Sequence, residues 1–184
     1  MNLKRIAIAG LATAGIVAGG AMLSSSPASA DTVPADPAYG SWPVLKQGQT
    51  SENVRALQWF LNCETFKVKT PSHFGPATYA QVKNFQAHAE MSDVPDGNVG
   101  AHTWLALVEK FPKPMDYGNR NDCVKAVQVL LNKWRYNDDL PITGYHGDRT
   151  KNKMLRFQDA HGLPATGKVD TRTLHKLIST PAGK

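Results

Sequence analysis

Between Val44 and Ser179 the apolar residues fall into six short runs at helical spacing. In the first, Val54, Leu57 and Leu61 stand three and four apart, and Phe60 widens the stripe. Thr50 or Ser51 can cap this run, which predicts a helix to about Cys63. The second run starts with Pro76, a residue suited to the first helical position, and reaches about Glu90. Thr78, Val82, Phe85 and Ala89 share one of its faces. The third follows Asp96-Gly97 and covers about Ala101–Lys110, with Trp104, Leu107 and Val108 inward. Val124, Val127 and Leu131 then predict a helix over about Asp122–Arg135. Met154 and Phe157 predict one over Asp148–Ala160, and Leu174, Leu177 and Ile178 one over Thr171–Ser179, capped by Asp170. Gly97–Val99 and Gly167–Val169 leave room for at most short extended pieces. The reading is all-α.

The six runs are three runs written twice. Leu57-Gln58-x-x-Leu61-Asn62 recurs as Val127-Gln128-x-x-Leu131-Asn132 at an offset of 70. Gly75-x-x-Thr78 recurs as Gly147-x-x-Thr150, and Phe85-Gln86 as Phe157-Gln158, at an offset of 72. Gly97-x-Val99 and Thr103 return at 70 as Gly167-x-Val169 and Thr173. The offset changes inside Pro-, Gly- and Asp-containing stretches, where insertions belong. The expected organisation is two tandem three-helix modules, 44–111 and 112–180, after a leader (1–30) and a Pro-rich linker (31–43). Units of this size are marginal alone, so packing between them would help.

The leader has three parts: a short basic start with Lys4 and Arg5, an uncharged run Ile6–Leu23, and a small polar end at Ala28-Ser29-Ala30. This is the layout of a secretory signal peptide, cleaved after Ala30; the competing reading is a retained membrane anchor. The formal charge is +6, falling to about +4 without the leader, which suits an anionic polymer or surface. Export places the two cysteines, Cys63 and Cys123, in an oxidising setting. An intramolecular pair would close a loop of about 60 residues and contribute about 3–4 kcal/mol. Free thiols and an intermolecular bridge are the alternatives.

The ordered string Val54-Arg55-Ala56-Leu57-Gln58-Trp59-Phe60-Leu61, Phe74-Gly75-Pro76-Ala77-Thr78, Val82-Lys83-Asn84-Phe85-Gln86 and Asp96-Gly97-Asn98-Val99-Gly100-Ala101-His102-Thr103-Trp104 resembles the peptidoglycan-binding domain family of small three-helix modules. The second module keeps Thr150, Phe157-Gln158 and Gly162-Leu163. It departs at His146 (Phe in the family pattern), Asp170 (Gly) and Leu174 (Trp). Members of that family are commonly appended to wall-cutting enzymes, which the module holds on their polymer. Here the resemblance covers about 135 of the roughly 154 residues after the leader, leaving no room for a catalytic domain. It implies peptidoglycan as partner, through its glycan or its stem peptides. Two modules on one chain suit a repetitive polymer.

Other chemistries fare less well. The six histidines tempt a metal reading, but His73, His88 and His102 align with Tyr145, Ala160 and Arg172 rather than with histidines. On one helix His73 and His88 would also stand about 22 Å apart, far beyond a shared zinc. No G-x-S-x-G, H-E-x-x-H or phosphate-loop pattern occurs. The acid pairs Glu90/Asp93 and Asp138/Asp139 fall in expected loops. No cofactor and no enzyme activity are implied.

The recurring Leu-Gln and Phe-Gln pairs read as core residues beside a Gln that bonds a loop backbone. Trp59 lies about 140° around the first helix from Val54, away from its own core. A sugar-stacking platform, a contact between the modules or with the linker, and simple exposure are all open for it. Asn62 shares its flank, and Tyr79 and Lys83 share a flank of the second helix. Trp59, Asn62, Tyr79 and Lys83 are therefore the candidate polymer-binding residues. The expected protein is secreted, associated with the cell wall, non-catalytic and without stable membrane insertion. The alternative is a secreted interaction protein that docks on a wall hydrolase. Nucleic acid is not expected as a partner, because aromatic and basic residues do not interleave on one stripe.

Overall fold

The computed structural model describes residues 41–89, 95–111, 115–135 and 138–183. The leader, most of the linker and the expected helix end at Glu90 lie outside the described residues. Six helices follow in order: α1 Glu52–Cys63, α2 Pro76–His88, α3 Ala101–Lys110, α4 Asp122–Lys133, α5 Asp148–Ala160 and α6 Thr171–Ser179. Their starts follow the capping chemistry. Ser51 and Asn121 accept from the backbone N–H of Val54 and Val124, and Asp170 from that of Thr173. Among the described residues, four antiparallel bridges make up the extended structure: Leu45–Val99 and Thr50–His73 in the first module, Met115–Val169 and Arg120–Tyr145 in the second. Among the described residues no helix is long and apolar enough to cross a membrane.

Each module is assembled by two buried glutamines acting as clamps. Gln58 donates to the His73 carbonyl (2.8 Å) and the Thr78 hydroxyl (3.0 Å), and accepts from the Ser72 N–H (3.2 Å). Gln86 does the same with Asn98, Thr103 and Gly97 at 2.7, 3.1 and 2.9 Å. Gln128 takes Tyr145, Thr150 and Gly144 at 3.0, 3.1 and 3.0 Å. Gln158 takes Lys168, Thr173 and Gly167 at 2.7, 3.1 and 2.9 Å. The N–H donor always has left-handed backbone: Ser72, Gly97, Gly144 and Gly167, with φ of 69°, 76°, 76° and 71°. The carbonyl is one residue later, the next helix's N-cap three later and its Thr six later. Between carbonyl and cap sits a fully buried side chain: Phe74, Val99, His146 and Val169. His146 thus takes the core position that Phe74 holds in the first module, and burial moves its imidazole below the usual pKa, with the Asp116 charge opposing.

The two modules share one core. α1 and α4 pack antiparallel along their lengths: Cys63 at the end of α1 is disulfide-bonded to Cys123 at the start of α4, with 5.3 Å between Cα atoms. At the opposite end of the pair, the Lys133 ammonium, almost wholly buried, donates to Asn53 Oδ1 (2.8 Å) and to the Leu177 and Ile178 carbonyls (2.8 and 2.9 Å). It therefore satisfies orphan carbonyls of α6 while tying the second module to the first. α3 and α6 also meet. Trp42, read from sequence as linker, is buried there, stacked on His175 at 3.8 Å between ring centroids and 6.5 Å from Trp104. The Trp104 indole donates to the Pro43 carbonyl at 2.8 Å. The end of the expected linker is thus part of the folded core.

Gln128→Leu is expected to lower stability by about 2–4 kcal/mol, because it strands the buried Gly144 N–H and Tyr145 carbonyl; urea unfolding measures it. Reduction of Cys63–Cys123 is expected to cost about 3–4 kcal/mol in the same assay. Burial pushes the Lys133 pKa down from its usual 10.5 to about 7, with Glu52 opposing. Between those values the unfolded chain binds more protons, so this contribution grows as pH rises from 7 towards 10.5 and is lost as pH falls. Relative to Lys133→Met, the parent chain is expected to gain about 1–4 kcal/mol between pH 7 and pH 10.

Candidate polymer-binding faces

In each module the turn before the first helix pairs with the loop before the second, through Thr50–His73 and Arg120–Tyr145. These pairings bring together side chains far apart in sequence, and the surfaces they create differ between modules. In the second module, Tyr117 is 48% exposed, and its ring lies 6.4 Å from that of Tyr145. The Arg120 guanidinium stands 4.4 Å from the Tyr145 ring centroid, and the Lys151 ammonium 5.7 Å from that of Tyr117. Tyr145 folds onto Gly147, where a Cβ would come within 2.6 Å of the ring, so no larger residue fits there without displacing it. A hydrogen bond with Tyr145, reinforced by the negative charge of Asp148, holds the Tyr117 phenol above its usual pKa, so it remains a neutral donor. Asp116, hydrogen-bonded to Lys168 at 2.7 Å, anchors the turn that carries Tyr117 and is held below the usual carboxylate range by that contact. The result is an aromatic pair, Tyr117 exposed and Tyr145 half-buried, flanked by two cations. None of Tyr117, Tyr145, Arg120 and Lys151 stands out in the sequence, where they are spread over 35 residues. The usable signal was the replacement of Gln47 and His73 of the first repeat by Tyr117 and Tyr145.

The four residues proposed from sequence separate into three environments. Tyr79 and Lys83 come together on α2, with the ammonium 5.9 Å from the ring centroid. Tyr79 lies over Gly97, whose positive φ and missing Cβ leave room for the ring. At the bridge before α2, Thr50 Oγ1 and His73 Nδ1 are 3.1 Å apart. Trp59 is half-buried against the shared core, with the Lys125 ammonium 4.4 Å from its ring centroid and its own Nε1 buried without a hydrogen-bond partner. Of its three sequence readings, contact between modules is the one its neighbours describe. Asn62 is buried, and both ends of its amide are engaged by Val68, accepting at 2.8 Å and donating at 3.0 Å. Asn132 does the same with Leu140, at 2.8 Å each way.

Lys125 connects Trp59 to the second module's face. It is ion-paired to Asp122 at 2.9 Å and packs on Gly144, the residue before Tyr145. Trp59 thus meets Lys125, and Lys125 meets the loop that carries Tyr145, whose ring is in turn flanked by Arg120 and Tyr117. A cavity of about 340 Å³ lies elsewhere, where Ser41, Asn53 and Thr180 surround Lys133. Lys133 is its one cationic lining residue, and all three of its donors are already used within the fold.

Among the described residues no group of three or more His, Cys, Asp and Glu side chains could hold a metal. His73 sits in the bridge before α2 rather than on the helix with His88, which corrects the geometry expected from sequence. Asp138 and Asp139 are both exposed, and the Glu90/Asp93 pair lies outside the described residues. The arrangement offers flat aromatic surface, hydroxyls and cations, which suits recognition of a sugar polymer bearing carboxylates.

A family comparison agrees with this division. The peptidoglycan binding domain model matches the chain twice, over residues 50–107 and 120–177, one match for each module. With both modules matched and more than half of its residues covered, the chain belongs to the peptidoglycan-binding domain family.

Proposed function

We propose that this protein is exported and holds to the peptidoglycan of the cell wall without cutting it, each module contributing a contact. The observation that carries the reading is the Tyr117–Tyr145 pair, with Tyr117 exposed, flanked by Arg120 and Lys151 on a module of a peptidoglycan-binding family. Sugar rings present apolar C–H faces that stack on aromatic rings, and the tyrosine hydroxyls reach glycan hydroxyls. Stem-peptide carboxylates meet the guanidinium and the ammonium. On the first module, Tyr79 and Lys83 supply a smaller version of the same pairing. Trp59 forms the rim that continues the second module's face across Lys125. Asn62 acts through the loop it holds at Val68 and so is a positioning residue. The basic leader with its small-residue end supports export, and the match of both modules to a binding-domain family supports a binding role.

The test is co-sedimentation with purified, insoluble sacculi, with mass spectrometry of the supernatant. Retention without released muropeptides is the expected result. Tyr117→Ala is expected to weaken retention roughly tenfold, about 1.4 kcal/mol. Arg120→Gln with Lys151→Gln should weaken it and flatten its dependence on salt, because exposed charges are screened. Muropeptide release would reveal an active site. Absence of retention at low salt, with recovery of a secreted hydrolase instead, would move the ligand from polymer to protein.

A further inference from the structure

The antiparallel pairing of α1 with α4 makes the junction close to two-fold symmetric, since the two helices are copies offset by 70 residues. A contact at one end should then recur at the other with partners exchanged. The Trp59–Lys125 contact, with Asp122 beside it, maps onto Val129 and Arg55, with Glu52 beside them. At the first end the indole covers the lysine. At the second, valine is too short to cover the arginine, and a cavity of about 70 Å³ opens there, lined by Arg55, Val129 and Glu52 together with Arg135 and Asp139. Arg55 Nε is buried at this position and has no hydrogen-bond partner. A buried guanidinium N–H without an acceptor is costly, so the geometry asks for one. The volume is that of about two waters, or of a small charged head group.

We propose that this cavity, formed jointly by the two modules, is a separate ligand site for an amino-acid zwitterion, an ammonium and a carboxylate carried on one carbon. Arg55 and Arg135 offer donors to the carboxylate, and Glu52 and Asp139 offer acceptors to the ammonium. Two acids in the wall disfavour a multiply charged anion, and two arginines disfavour a bare cation. A head group with one charge of each sign satisfies both pairs. The neighbouring Asn132 amide is engaged by Leu140 and does not compete. This site deepens the wall-binding reading and rests on it for the source of the zwitterion, which would be the unlinked side-chain end of a diamino diacid residue in a stem peptide, since a peptide terminus carries only one of the two charges.

The test is NMR titration of the full chain with glycine, N-acetylglycine and glycinamide, observing arginine side-chain N–H groups. A saturable shift of the Arg55 Nε–H with glycine is expected, at least tenfold weaker with either blocked compound. Val129→Trp, which restores at this end the indole found at the other, should abolish the shift. Arg135→Gln, at an exposed position, should weaken binding at least tenfold with an unchanged melting temperature, so the result does not depend on whether the tryptophan variant folds. Equal binding of N-acetylglycine, or no saturable shift at Arg55, overturns the proposal and leaves a solvent-filled groove. Sacculus retention is read in parallel. Retention without glycine binding overturns this site alone, whereas glycine binding without retention supports the site and overturns only the wall as its source.

Discussion

Four glutamine side chains hold the two modules in shape. Gln58, Gln86, Gln128 and Gln158 each extend from one helix into the loop leading to the next, and each satisfies a loop N–H, a loop carbonyl and a threonine hydroxyl. A neutral amide suits this task because it donates and accepts at once, without the desolvation cost of a charge. Helices of only 9 to 13 residues are too short to be stable alone in water. They persist because the clamps fix the loops, and the loops place Phe74, Val99, His146 and Val169 in the core.

The same clamps place the candidate binding surface. Gln128 fixes Gly144 and Tyr145, so the ring of Tyr145 projects beside Tyr117 rather than into solvent at random. Gln58 fixes Ser72 and His73 in the corresponding loop of the first module. One scaffold therefore presents two different faces. The first carries Tyr79 with Lys83; the second carries an aromatic pair with two cations. Duplication preserved the clamps while the side chains projecting from the clamped loops diverged.

Joining the modules adds surface that neither has alone. The disulfide at one end of α1 and α4 and the buried Lys133 at the other fix the pair in register. That register brings Trp59 over Lys125 and, at the symmetry-related end, Arg55 beside Val129. The junction is a structural seam that also sets aromatic and charged groups of the two modules side by side.

The sequence by itself determined the local architecture. Helix periods and the repeat located α3 and α5, the Asp170 cap helped locate α6, and the recurring Gln positions pointed to bonds with loop backbone, because these features depend on neighbours within one turn or one loop. The family was legible for the same reason: its motif consists of the core and clamp residues. The candidate site was legible only in part. Tyr79 and Lys83 are one turn apart on one helix, so periodicity found them. Tyr117 and Tyr145 become neighbours only through the Arg120–Tyr145 bridge, and Trp59 acquires its partner only when α1 packs on α4. Asn62 shares the helix flank of Trp59, yet its amide is turned to Val68, a choice that depends on the path of the following loop. Contacts set by long-range packing leave no period in the chain, and so tertiary structure alone decided which polar and aromatic groups meet.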